Sequence, residues 1–128
     1  MQCGGMHPDP QLLVHLCGTP DWQAAVESGR LVPESLLTSG FVHLSTLWQA
    51  HLPATRLFAG RADLLAIFVD PRRLEAPVLW EPGVAEDPPS MRFPHLYGPL
   101  PLSAVIEVRA YSPGPDGTFA PLIHSDGR

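Results

Sequence analysis

His95 and Tyr97 stand two residues apart in the segment Arg92-Phe-Pro-His-Leu-Tyr-Gly-Pro-Leu100, held between Pro94 and the pair Gly98-Pro99. Proline fixes its own φ and keeps the residue before it out of the helical region, so this backbone is stiff. In extended chain, side chains two apart point to one face. An imidazole and a phenol aimed the same way suit acid–base chemistry near neutral pH without a cofactor.

Two other segments show a related alternation. In Leu12–Cys17, the residues Leu12, Val14 and Leu16 face one way, and Leu13, His15 and Cys17 the other. In Phe41–Ser45, the residues Val42 and Leu44 oppose Phe41, His43 and Ser45. A fully apolar face is the one a strand buries, which leaves His15, His43 and Ser45 on semi-polar faces. If the strands are neighbours, these groups line one cleft with His95 and Tyr97. Each has a plainer reading. A strand histidine is more often a hydrogen-bonded structural residue, Ser45 is placed to cap a helix, and Tyr97 could anchor a turn. His7, His51 and His124 read as tail or surface residues.

Glu81 is the acid that stands out, at a strand end between Val78-Leu-Trp80 and Pro82-Gly83. A carboxylate there could orient a histidine or stabilise positive charge forming on a sugar. Its plain reading is a solvated strand end, and Glu107 is a weaker rival. Several templates are absent: the chain has no Gly-x-Gly-x-x-Gly, no Walker loop and no Gly-x-Ser-x-Gly. No zinc-type histidine spacing occurs, and no metal is expected.

The elements that must position these residues fit one domain of 128 residues, enough to bury about 65–70% of its unfolded surface. A net charge of −5 with eight arginines and no lysine argues against nucleic acid, which needs a positive face. No apolar run approaches the roughly 20 residues that span a bilayer. Neither a membrane nor a signal segment is expected, so the expected address is cytoplasmic. Cys3 in a loose leader and Cys17 in an apolar strand do not suggest a disulfide framework.

Residues 1–9 read as a flexible leader, 10–111 as the domain, and 112–128 as a Pro/Gly-rich tail on which Phe119, Leu122 and Ile123 could dock. Within the domain, Asp21 should cap a helix running to Ser28 and stopped by Gly29. Pro33–Leu37 should be a second helical piece. Ser45 should cap a third helix, split by Pro53 into Thr46–His51 and Pro53–Ala59. Leu64–Val69 should be a central strand covered on both faces. Val78–Glu81, His95–Tyr97 and Val105–Tyr111 complete an α+β pattern.

His15, Trp22 with Ala25 and Gly29, Phe41-Val-His-Leu-Ser45, Gln49, Phe58-Ala-Gly60, Trp80-Glu81 and Phe93-Pro-His-Leu-Tyr-Gly-Pro-Leu100 together resemble the family called domain of unknown function 952. The resemblance runs from about Leu13 to Val108. It implies a fold like that of ADP-ribosyltransferases, with split antiparallel sheets around a cleft, short flanking helices, and NAD as the cofactor. It places His15 at the first-strand position that holds ribose, His43 or Ser45 at the second, and Glu81 at the position that assists departure of nicotinamide. His95 and Tyr97 have no secure equivalent in the wider superfamily.

The expectation is therefore an NAD- or nucleotide-binding enzyme with a small-molecule or nucleotide ligand. His43, Glu81, His95 and Tyr97 would be catalytic, and His15 and Ser45 would bind the cofactor. The alternatives are a cofactor-independent acid–base enzyme on a small metabolite and a non-catalytic metabolite binder.

Overall fold

The apolar run Leu64–Val69 forms the strand around which the other elements are arranged, and both of its faces are covered. The computed structural model describes residues 12–82 and 91–122. In chain order the first elements are β1 (Leu13–Gly18), α1 (Thr19–Ser28), β2 (Arg30–Leu31), α2 (Glu34–Ser39), β3 (Val42–His43) and β4 (Ser45–Thr46). Then come α3 (His51–Phe58), β5 (Leu64–Val69), β6 (Val78–Pro82), β7 (Arg92–Leu96), β8 (Leu100–Pro101) and β9 (Val105–Ala110). The result is α+β. Among the described residues the strands form a four-stranded sheet β9-β5-β1-β4, a three-stranded sheet β3-β7-β6 and the pair β2-β8. Every pairing is antiparallel.

The large sheet separates two cores. On one face Leu13, Cys17, Ile67 and Val69 meet Val42, Leu44, Leu96 and Leu100. On the other, Val14, Leu64, Ala66 and Phe68 meet Ala54 of α3 and Ala50 just before it, with Tyr111, Phe119 and Leu122. Burying a side chain such as Phe68 contributes about 1.5–3 kcal/mol. This corrects the expectation for β1: its second face is also core, and His15 on it is only 5% exposed.

The helix starts differ from expectation in an instructive way. Gly18, not Asp21, is the N-cap of α1. Pro20 lies in the first turn, where its missing N–H has no partner to lose. Asp21 stands in that turn and favours the positive end of the helix dipole. Gly29 ends the helix at φ 89°, a left-handed position that glycine takes without strain.

Ser45 caps nothing; it is the β4 residue opposite Val14. Instead the Gln49 N–H donates to Thr46 Oγ1 and the Thr46 N–H donates to Gln49 Oε1, both at 3.1 Å. That reciprocal pair has the hydrogen bonds of a capping box, readable as Thr46-x-x-Gln49, and closes the turn that leads into α3, whose N-cap is Ala50. Pro53 then falls in the first turn of a single helix and does not split it.

Of the residues after Ser112 that could dock, Phe119 and Leu122 are buried against the α3 side of the large sheet. The Phe119 N–H donates to Thr55 Oγ1 at 3.0 Å, and the Tyr111 hydroxyl donates to the Ala120 carbonyl. Cys17 is a buried free thiol, pushed up to about 12 by burial. The leader (1–9), with Cys3 and His7, lies outside the described residues, as do Ile123 and His124. No helix among the described residues is long and apolar enough to cross a membrane.

Candidate functional site

The three-stranded sheet has one face in the core and one that carries polar groups. Val42 is the Cα partner of Leu96, and Leu96 of Val78; these three pack inward. The next positions put His43 opposite His95, and His95 opposite Leu79, on the other face. Phe93 and Glu81, partners two residues further along, share that face.

Glu81 joins the two residues that the sequence set two apart. The His95 Nδ1–H donates to Glu81 Oε1 at 2.8 Å, and the Tyr97 hydroxyl donates to the same oxygen at 2.7 Å. Tyr97 lies one residue past the end of β7 rather than within it. The two hydrogen bonds, that from Tyr97 first, hold the Glu81 carboxyl below its ordinary range. The same bond pushes the Tyr97 hydroxyl up.

Because Nδ1 gives its proton to a carboxylate, Nε2 carries the lone pair in the neutral ring. His95 Nε2 is buried and has no hydrogen-bond partner among the described residues. Phe41 stacks on this ring at 4.0 Å and 14°, and meets His43 edge to face at 4.8 Å. In the sequence Phe41 is only a third residue on the His43 face; its contact with His95 depends on the pairing of β3 with β7.

The two sheets part beside β1. Only Leu13 and Val14 of β1 pair with β4, at Thr46 and Ser45, so among the described residues no strand pairs with the edge from His15 to Gly18 on that side. A single residue, Leu44, separates β3 from β4, and the chain changes sheets there. Into the gap opens a cavity of about 360 Å³, bordered by His15, Asp21, His43, Ser45, Leu57 and Arg61 among others. The register also corrects one expectation. Ser45 pairs with Val14, so it projects from the opposite face of the large sheet to His15. Both nevertheless border the cavity, because it lies at the open edge of β1 rather than over one face.

His15 is fixed in the same way as His95. Its Nδ1–H donates to the His43 carbonyl at 2.8 Å. Burial, more than the nearby His43, pushes its imidazole down, which favours the neutral form, in which Nε2 is an acceptor. That Nε2 is buried without a partner among the described residues. His43 is also pushed down, first by desolvation and then by His95. A neighbouring cavity of about 250 Å³ borders His95, Phe93, Leu44 and Arg56, and shares His43, Ser45, Pro53 and Leu57 with the first.

The structure thus gathers His15, His43 and Ser45 around one cavity and His43, Ser45 and His95 around the next. Glu81 and Tyr97 stand behind His95. His51, expected at the surface, is half-buried at the start of α3 against Trp48. Among the described residues no cluster of three or more His, Cys, Asp or Glu side chains is placed to hold a metal.

The profile of a protein of unknown function, DUF952, matches residues 16–108. The chain belongs to the DUF952 family. The DUF952 match starts one residue after His15 and takes in His43, Ser45, Glu81, His95 and Tyr97. Protein CC0527 from Caulobacter crescentus is 32% identical; its X-ray structure aligns over 85% of this chain and 93% of that one, with a TM-score of 0.74. The solution NMR structure of CC0527 aligns over 84% and 90% at 32% identity, with a TM-score of 0.70. No curated protein matches the chain.

Proposed function

We propose that this DUF952 protein is an NAD- or nucleotide-binding enzyme of the ADP-ribosyltransferase-like type, with its ligand in the cavity beside His15. The observation that carries this reading is the buried, unpartnered Nε2 of a neutral His15 at the open edge of β1. A buried acceptor left unmet costs about 1–3 kcal/mol, so such an atom asks for a donor. A sugar hydroxyl is a donor. A phosphate oxygen offers only acceptors, so His15 suits ribose rather than phosphate. The parting of two antiparallel sheets at Leu44 is compatible with the split-sheet fold that the family resemblance implies.

In this reading His15 holds a ribose hydroxyl, with Ser45 beside it as a second hydrogen-bonding group. NAD, when bound, supplies a glycosidic bond to a positively charged leaving group. Glu81 oxygen Oε1 already accepts two hydrogen bonds, so we assign Glu81 to positioning His95 rather than to contact with the sugar. The direct test is titration of the purified protein with NAD and ADP-ribose, with nicotinamide release followed in parallel. Absence of binding and turnover at millimolar NAD would sink the reading.

A second reading rests on a different observation. The Glu81–His95–Tyr97 set is an imidazole fixed through Nδ1 with Nε2 unpartnered among the described residues, which suits a cofactor-independent acid–base enzyme on a small metabolite. Activity on a metabolite that survives His15→Ala but not His95→Asn would favour it. Binding without turnover by any variant would instead leave a metabolite-binding protein.

A further inference from the structure

The 250 Å³ cavity beside His95 is bordered by the apolar residues Leu44, Leu57 and Phe93 and by the polar residues His43, Ser45, Arg56 and His95. Nδ1 of His95 is turned to Glu81 on β6, and β7 lies between β6 and β3. The opposite edge of the ring therefore faces the β3 side, where His43 and the cavity are. Phe41, stacked at 4.0 Å, restrains the ring from swinging away. In the neutral ring His95 Nε2 thus meets the requirements of a base: it is fixed, it carries the lone pair, and no hydrogen-bond partner among the described residues uses it.

We infer that this cavity is an acceptor subsite, which takes water or a small primary alcohol with its O–H donated to His95 Nε2. The apolar walls hold the carbon body of the alcohol. The proton passes from oxygen to Nε2. The oxygen's freed electron pair forms the new C–O bond to an anomeric carbon presented from the adjoining cavity, whose leaving group departs with its own bonding pair. Glu81 is a positioning residue here, and Tyr97 acts through it. The bond-forming step rests on the nucleotide reading above; the alcohol subsite does not.

The test uses the full chain with ¹⁵N-labelled histidine, titrated with 1-propanol. The subsite predicts that the His95 Nε2 resonance moves upfield and saturates, and that Glu81→Gln weakens the response. An Nε2 resonance that does not move, or drifts without saturating as the other histidines do, overturns it. Nicotinamide release from NAD supplies the second arm. His95→Asn should lower release roughly 10²-fold with NAD affinity within about twofold of wild type. The better-tolerated Glu81→Gln, at a partly exposed side chain, should lower it about tenfold. Unchanged release in both variants overturns the inference while the nucleotide reading stands. A saturating Nε2 shift with no NAD turnover does the reverse.

Discussion

Glu81 reaches His95 diagonally across the β6–β7 ladder: the Cα partner of Glu81 is Phe93, that of His95 is Leu79, and the side chains still meet at 2.8 Å. Diagonal neighbours on one sheet face are within reach of long side chains. The diagonal leaves the position opposite His95 on β3 for His43, whose ring meets His95 edge to face at 5.3 Å. The imidazole is thus held by an acid on one side while its other side borders a cavity.

Tyr97→Phe should raise the Glu81 carboxyl toward its ordinary value of 4.5, because it removes the larger of the two bonds that hold it down. A carboxyl depressed in the folded state adds stability above that ordinary value and loses it as pH falls through the folded one. Carboxyl ¹³C titration of wild type and variant measures the midpoint. An unchanged midpoint would show that the Tyr97 bond does not hold in solution.

His15 carries the opposite charge chemistry with the same sign of pH dependence. Its folded pKa lies below the ordinary 6.5, so the unfolded chain takes up the proton first. Its contribution to stability is present above 6.5 and is lost as pH falls through the folded value. Ligand affinity should weaken over the same window as Nε2 is protonated and ceases to accept. Imidazole NMR titration should put the His15 midpoint below 6.5; a midpoint at or above that value contradicts the buried neutral ring.

The segment after Ala110 should behave as part of the fold. Phe119→Ala removes a buried ring from the core shared by Phe68 and Tyr111, and should cost about 3–5 kcal/mol. Thr46→Ala removes the Gln49 N–H to Thr46 Oγ1 bond in the turn before α3 and should cost about 0.5–1.5 kcal/mol. Urea unfolding with unchanged m-values would measure both. A Phe119→Ala variant as stable as wild type would mean that the segment does not pack in solution.

Local patterns carried much of this in the sequence. The period-2 spacing placed His95 and Tyr97 on a common partner, and the unbroken run Leu64–Val69 announced a strand covered on both faces. What stayed hidden depends on pairing between distant segments. Nothing local tells Glu81 that Phe93 will lie opposite it, or puts Ser45 against Val14 and so on the far face from His15. The change of sheet at Leu44 is likewise tertiary, since Phe41–Ser45 alternates like one continuous strand. The capping box at Thr46 and Gln49 was legible, but Ser45 one residue earlier is an equally good local cap. Core packing and strand pairing decide between them.

The central claim is that His15 Nε2 accepts a hydroxyl of a ribose-bearing ligand. Calorimetric titration of NAD and ADP-ribose into wild type and His15→Ala, above pH 7, tests it most directly. The account predicts measurable binding to wild type and a loss of about 1 kcal/mol, roughly fivefold in affinity, on removing one neutral hydrogen bond. No heat with either ligand, or equal affinity for the two proteins, would contradict it.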